Sequence, residues 1–360
     1  MSDSKLQVAL IGCGNMGQHY GEVYSAYEDV DLVAIAEYNE VRRESVGERF
    51  GVKALYKNAE ELFDDIVPDL AVVVLPVKYM KNAVIAAAQA GVKGVSAEKP
   101  IAATLADADA MIEACESRRI VFAGGSLQRA MREVQEAASW LNNGDYGQIV
   151  GASVHRFGGE ISGGGCQHIS VLRLLCDAEV AEVIGWGRPP EALAGDHDGD
   201  LHISGQFKMT NGVDVSVFAE ETSSGGVEVW TEDALISWDW GPPKIYQGFD
   251  NNGARILAER PYTDDPWRRF GYLGASVRSF IDAVRAGVGP LAVSGHDLRQ
   301  ALEVAIAAKL SALRHAAPVS LPLEDRSLTL YPTPGRWEGF DQQGRQRTVA
   351  DDAQRWLGDP

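Results

Sequence analysis

The chain has 360 residues, 45% of them hydrophobic, and carries a formal net charge of −18. That length predicts two domains, and the apolar content suits a globular protein with full cores. The negative balance disfavours nucleic acid and anionic membrane surfaces as partners, because both recruit basic patches.

Met1-Ser2-Asp3-Ser4-Lys5 lacks the basic and apolar regions of a secretory leader. The longest apolar run, residues 70–77, is too short to span a bilayer. Four cysteines, Cys13, Cys115, Cys166 and Cys176, are scattered without a CxxC pair. Reduced thiols in a cytoplasmic chain, with no metal site, are the expectation.

In chain order, residues 7–11 predict a strand, 16–27 a helix, 31–36 a strand and 42–50 a helix. Residues 70–75 and 92–97 are further strands, separated by an alanine-rich helix over 82–90. A helix over 107–117 and a strand over 120–123 follow. Strands alternating with helices of this length imply βαβ units and a parallel sheet.

After Gly124 the texture changes. A helix over 131–142 leads into extended stretches at 149–157, 201–209, 213–219, 227–230 and 235–240. Asn211-Gly212 between two of them signals a hairpin. Helices over 275–286 and 297–315 close this half, and residues 331–360 read as an extended tail. The fold expected is α/β: a Rossmann parallel sheet over 1–124, then an α+β domain over 125–330 with an open, mostly antiparallel sheet.

Gly12-Cys13-Gly14-Asn15-Met16-Gly17 follows the first strand and opens the first helix. Gly12 permits the tight turn, Gly14 the approach of a pyrophosphate, and Gly17 close helix–strand packing. The helix N-terminus then faces the phosphates. Glu37 ends the second strand, where an acid accepts hydrogen bonds from a ribose 2′-hydroxyl and repels a 2′-phosphate, which favours NAD over NADP. Arg42 and Arg43 soften that discrimination if they fold back. Lys99, in Glu98-Lys99-Pro100, ends the strand over 92–97, and Pro100 stops that strand from continuing. The carboxyl edge of an open α/β sheet is where ligands bind, so an amine there is aimed at a cofactor or substrate.

The fingerprint, Glu37 and Glu98-Lys99-Pro100 together resemble the Gfo/Idh/MocA oxidoreductases, which include glucose–fructose oxidoreductase and inositol dehydrogenase. The resemblance continues through Gly125-Ser126-Leu127-Gln128-Arg129, residues 143–149, Gly163-Gly164-Gly165 with His168, Ser294-Gly295-His296-Asp297 and Val319-Ser320-Leu321-Pro322. It implies NAD-dependent hydride transfer at a secondary alcohol or ketone of a sugar, sugar acid, glycoside or cyclitol. It also implies a homodimer or homotetramer formed through the open sheet.

The resemblance implies that Lys99 binds the reacting hydroxyl and relays its proton, and that His168 is a second acid/base group. It extends the cofactor set to Gly12, Gly14, Asn15, Met16, Gly17, Glu37, Pro76, Glu98 and Lys99. Gln128, Arg129 and Gln167 join Lys99 and His168 toward substrate. The sequence departs from the family where Gly164, not aspartate, stands four residues before His168, and where Met80 replaces a usual histidine. Gln167 is then the candidate for the missing orienting polarity, and Tyr79 borders the nicotinamide. Two other readings use the same scaffold: a redox-neutral lyase or glycosidase employing bound NAD, and a non-catalytic NAD sensor.

Asp196-His197-Asp198-Gly199-Asp200 lacks the twelve-residue calcium-loop pattern and reads as turn residues in an acidic surface loop. Trp230, Trp238 and Trp240 lie on extended segments and are expected in a core or interface rather than as a sugar platform. His155, His296 and His315 form no HExxH or triad signature.

Overall fold

The computed structural model describes residues 4–220, 222–264, 268–287 and 291–339. The chain folds as two compact units, Met1–Ser126 with Ser276–Arg299 and Pro334–Pro360, and Leu127–Ala275 with Gln300–Thr333.

The first unit is built on six strands: β1 (Leu6–Ile11), β2 (Val30–Ala36), β3 (Ala54–Tyr56), β4 (Leu70–Val73), β5 (Gly94–Ala97) and β6 (Val121–Gly124). They lie in the order β3-β2-β1-β4-β5-β6, and every pair is parallel. β4 (LAVV) and β5 (GVSA) are buried throughout, the pattern of strands covered by helices on both faces. The helices are α1 (Asn15–Ala26), α2 (Glu40–Phe50), α3 (Ala59–Asp65), α4 (Val77–Ala90) and α5 (Leu105–Glu116). Their starts are cut by side chains that accept orphan backbone N–H groups: Asn39 from Arg42, Asn58 from Glu61 and Thr104 from Asp107. Left-handed Gly51 and Gly91 end α2 and α4.

The second unit carries α6 (Arg132–Asn142), β7 (Ile149–Val154), α7 (Gly165–Cys176), β8 (Val180–Arg188) and α8 (Pro190–Ala194). β9 (His202–Met209), β10 (Asp214–Val217), β11 (Val227–Thr231) and β12 (Leu235–Trp238) follow. β13 (Lys244–Phe249) and β14 (Arg255–Leu257) come next, and β15 (Val319–Ser320) ends the sheet. The nine strands are ordered β14-β13-β12-β11-β7-β10-β9-β8-β15, antiparallel except for β7 with β10. Asn211-Gly212 makes the β9–β10 hairpin, with Gly212 at φ 88° and Lys208 opposite Asp214. Along β9, Ile203, Gly205, Phe207 and Met209 are buried while Gln206 and Lys208 are exposed. That alternation gives the sheet one core face and one outward face, and Trp186 and Phe218 are exposed at 55% and 43%.

Two stretches leave chain order to join the first unit, Ser276–Arg299 and the one that begins at Pro334. Helix α9 (Gly271–Ala286) from Ser276 onward, with the start of α10 (Gly295–Leu313), belongs to the first unit. Gly94 leaves the room that Phe280 and Val284 occupy, Arg278 pairs with Asp29 at 3.0 Å, and the Gly124 amide donates to Val293 at 3.1 Å. At the start of the expected tail, Pro334–Trp337 form a short helix, α11, in the first unit, and residues 340–360 lie outside the described residues. Asp198 is not a surface turn residue: it is fully buried and accepts the Ser162 amide at 2.7 Å. Among the described residues no helix is long and apolar enough to cross a membrane, and no cluster of ligating side chains is placed to hold a metal. All four cysteines are free and buried.

Candidate active site

The carboxyl edge of the parallel sheet gathers the expected cofactor residues in one unit. Each fingerprint glycine has its own reason. Gly12 sits at φ 94°, and a Cβ there would strike the Val74 carbonyl. A Cβ on Gly17 would collide with the Gly12 carbonyl, so α1 starts tight against the turn. Gly14 has nothing within 4 Å of its Cβ position, which leaves open space in front of the helix. No side chain caps α1 and no acidic residue occupies its first turn, so the amides of its N-terminus remain directed outward. Asn15 Oδ1 is buried there without a hydrogen-bond partner. Met16 follows it in the same first turn.

Glu37, 8% exposed, closes the cradle from the end of β2. Its Oε2 accepts the Cys13 amide at 2.9 Å, and its Oε1 accepts the Asn39 amide at 2.9 Å. Arg42 Nη1 stands 3.3 Å from Oε1, and Arg43 Nη1 donates to the Glu37 carbonyl at 2.8 Å. Both arginines therefore do fold back onto the acid. A carboxylate offers about four acceptor sites, so one remains for a ribose hydroxyl. Open space at Gly14, uncapped helix amides, the orphan Asn15 oxygen and Glu37 together fit a dinucleotide.

Glu98 faces inward. Its Oε2 accepts the amides of Lys99 at 2.9 Å and Ser126 at 3.0 Å, and the Tyr20 hydroxyl stands 3.5 Å away. Its Oε1 accepts the Ser126 hydroxyl at 2.5 Å. Burial, then the Glu98 charge, push the Tyr20 phenol well above its ordinary range. Gly125 passes so close that any side chain would strike Glu98. The result is a rigid mount for the half-buried Lys99, whose ammonium makes no hydrogen bond or ion pair among the described residues. Pro76 caps α4, and Tyr79 one turn on is 47% exposed.

Gln128, Arg129, Gln167 and His168 belong to the second unit. Gln167 Oε1 accepts the Gln128 amide at 2.7 Å, which ties α7 to the turn Gln128–Ala130, and Gln128 Oε1 is buried without a partner. Arg129 reaches the Ser170 carbonyl at 3.5 Å and accepts from Gln135 at 2.6 Å. His168 is 2% exposed, with Nε2 3.0 Å from the Gly225 carbonyl and Nδ1 buried without a partner. Burial lowers its pKa, while the Gly225 and Gly164 carbonyls pull the other way. Gln167 thus orients Gln128 through this bond, and Gly225 holds the histidine.

Sequence reasoning missed the supports. Tyr20 lay outside every motif and Ser126 lay in Gly125-Ser126-Leu127-Gln128-Arg129 without an assigned role; their contacts appear only when α1 and the end of β6 converge on Glu98. Trp238 is fully buried as expected, but Trp240 lies past the end of β12 and is 41% exposed. His155, outside every motif, is bracketed by Ser153 at 2.7 Å and Thr222 at 2.8 Å, and stacks on Phe218.

Residues 6–125 match the model of an oxidoreductase family with an NAD-binding Rossmann fold. The chain is 27% identical over 335 residues to a myo-inositol 2-dehydrogenase of Thermotoga maritima, covering 85% of this chain and 96% of that one. Among solved structures, an oxidoreductase of Agrobacterium radiobacter in complex with NAD+, L-tartaric acid and magnesium shares the fold. Its TM-score is 0.73 at 20% identity, over 88% of this chain and 98% of that one. A levoglucosan dehydrogenase in complex with NADH and levoglucosan shares it with a TM-score of 0.72 at 19% identity, over 89% and 100%.

Proposed function

We propose that the chain, whose residues 6–125 match an NAD-binding oxidoreductase family, is a Gfo/Idh/MocA oxidoreductase and acts as an NAD-dependent dehydrogenase of cyclic or sugar-like alcohols. The reaction moves a hydride between nicotinamide and a secondary alcohol carbon of a sugar, sugar acid, glycoside or cyclitol. The observation that carries this reading is Lys99, an amine without a partner among the described residues, on a pinned backbone at the carboxyl edge of the sheet that holds the dinucleotide cradle. The full-length likeness to an inositol dehydrogenase supports the substrate class.

The nicotinamide, when bound, supplies the hydride acceptor. Gly12, Gly14, Asn15, Met16 and Gly17 would hold the pyrophosphate, Glu37 the ribose, and Pro76 with the Glu98–Lys99 backbone the nicotinamide end. Lys99 Nζ binds the reacting oxygen and, as the neutral amine, takes its proton to become the ammonium while the hydride leaves the carbon and the carbonyl forms. His168 is the second group, its pKa lowered by burial. Because Gly164 stands where an aspartate would steady the imidazolium, Lys99 carries the larger share of proton transfer. Gln128, with an unpartnered amide oxygen, Arg129 and Gln167 recognise substrate hydroxyls.

The same reading makes the protein a cytoplasmic homodimer or homotetramer joined through the outward face of the nine-stranded sheet. Free buried cysteines and exposed Trp186 and Phe218 support it. Sedimentation of Trp186→Glu beside the parent chain tests the interface, and an unchanged mass would rule that face out.

The deciding experiment assays inositols, aldoses, sugar acids and methyl glycosides with NAD and NADP at matched concentration. NADH should accumulate with at least one cyclic alcohol. Turnover without net NADH would favour redox-neutral lyase or glycosidase chemistry, and NAD binding without any turnover would favour a sensor.

A further inference from the structure

Trp240 is the one exposed member of an aromatic cluster whose other parts are buried. Its indole stands 5.4 Å from the His168 ring at 84°, and 5.4 Å from the Trp238 ring. Trp238 in turn meets His168 edge-on at 5.8 Å. The Gly225 carbonyl accepts from Trp240 Nε1 at 3.2 Å and lies 3.0 Å from His168 Nε2. One backbone oxygen therefore sets the angle of both rings.

Single exposed tryptophans are ordinary on protein surfaces. This one differs in two respects. Its backbone sits at φ 58°, a left-handed conformation that a bulky residue adopts only where its surroundings impose it. Around it, His168 Nδ1, Trp238 Nε1 and Ser224 Oγ are all buried without hydrogen-bond partners. Buried polar groups of this kind are uncommon, and three in one cluster mark a place where an external hydroxyl has acceptors and donors to meet. An aromatic face beside a few polar atoms is the composition of a small-molecule site.

We propose that Trp240 is a stacking platform that selects ring-shaped polyols, pyranosides and cyclitols, over open-chain ones. A six-membered ring presents axial C–H groups on one flat face and hydroxyls at its rim. The indole takes the C–H face while the rim hydroxyls meet the polar atoms beside it. An open-chain polyol lacks that face and loses chain entropy on flattening. This rests on the reading that the chain oxidises a sugar or cyclitol alcohol.

The test uses the full chain saturated with NAD, and Trp240→Leu and Trp240→Phe beside it. The probes are myo-inositol, methyl α-D-glucopyranoside and the open-chain polyol D-sorbitol. Saturation-transfer NMR reads binding, steady-state kinetics reads turnover, and sedimentation reads association. We expect ring C–H signals from both cyclic probes with the parent chain, lost in Trp240→Leu and largely kept in Trp240→Phe. Where a cyclic probe is turned over, Trp240→Leu should raise its KM about tenfold with kcat within about threefold. Equal binding of cyclic probes by the parent chain and Trp240→Leu overturns the proposal. So does equal loss of cyclic and open-chain binding, absence of binding by the parent chain, or a changed association state. Binding through Trp240 without turnover would leave the platform standing and sink the dehydrogenase reading. Turnover indifferent to Trp240 would do the reverse.

Discussion

Glu98 and Ser126 lock together through a 2.5 Å hydroxyl–carboxylate bond and a 3.0 Å amide–carboxylate bond. The acid of Glu-Lys-Pro is therefore committed inward, where it fixes the peptide that carries Lys99. Ser126→Ala leaves Glu98 Oε1, 6% exposed as a residue, without that donor. A lost bond to a buried charged acceptor costs about 1–3 kcal/mol, so the urea midpoint should fall accordingly. We expect kcat to drop by about tenfold, as positioning is lost, while NAD affinity holds. An unchanged midpoint would remove Glu98–Ser126 from the list of supports.

Lys99→Ala should abolish the proton relay and spare the cradle. General acid–base groups contribute about 10²–10⁴-fold, so kcat should fall by that factor with NAD affinity nearly intact. Lys99→Arg should not restore it, because a guanidinium stays protonated and cannot accept the alcohol proton. Near-normal turnover in either variant would assign the proton to another group.

The proposed reading makes cofactor choice hang on Glu37. Removing its carboxylate in Glu37→Ser deletes the ribose acceptor and leaves Arg42 and Arg43 facing the same corner. The ratio of kcat/KM for NADP over NAD should rise by about 100-fold. A ratio that stays put would mean the arginines, not the acid, already govern that pocket.

The first unit was legible because its chemistry is local. The fingerprint, Glu37 and Lys99 each sit at a strand end that apolar runs announce, and the glycines are required by backbone contacts within the same turn. β3 escaped notice because Ala54–Tyr56 is three residues long and half-buried. β8 escaped because its alternation is broken by Gly185 and Gly187, which make room for Ile203 and the residues of α10. Tyr20, Ser126 and Trp240 were illegible for a different reason. Their roles arise from partners 78, 28 and 15 residues away, at Glu98 and Gly225. Residue 198 shows the opposite error: a run of acids looks like solvent-facing turn, yet Asp198 is fully buried and holds the Ser162 amide.

Acid should destabilise the protein through its histidines. Burial lowers the pKa of His19, His155 and His168 from 6.5 in the folded chain. Below about pH 6.5 the unfolded chain then binds protons that the folded one refuses, so stability is fully present above that pH. It should be lost as pH falls toward the depressed folded values, by up to about 1.4 kcal/mol per pH unit for each histidine. His155→Gln, which can still meet Ser153 and Thr222, should reduce the slope by about one proton in urea unfolding between pH 5 and 8. A slope identical to the parent chain would show that His155 charges freely in the fold.

Gly14 and Gly17 separate binding from folding inside one motif. Gly14 has a φ of −65° and no atom within 4 Å of its Cβ position, so Gly14→Ala costs the free protein little. The added methyl occupies the space through which a pyrophosphate must approach the helix amides, and NAD affinity should fall by at least about tenfold. Gly17→Ala drives its methyl into the Gly12 carbonyl and forces α1 off the sheet. Its melting temperature should fall by several degrees whether or not cofactor is present, since about 1 kcal/mol shifts Tm by a few degrees in a domain of this size. Calorimetry with and without NAD reads both effects at once. If Gly14→Ala bound NAD as tightly as the parent chain, the open space before α1 would not be the phosphate site.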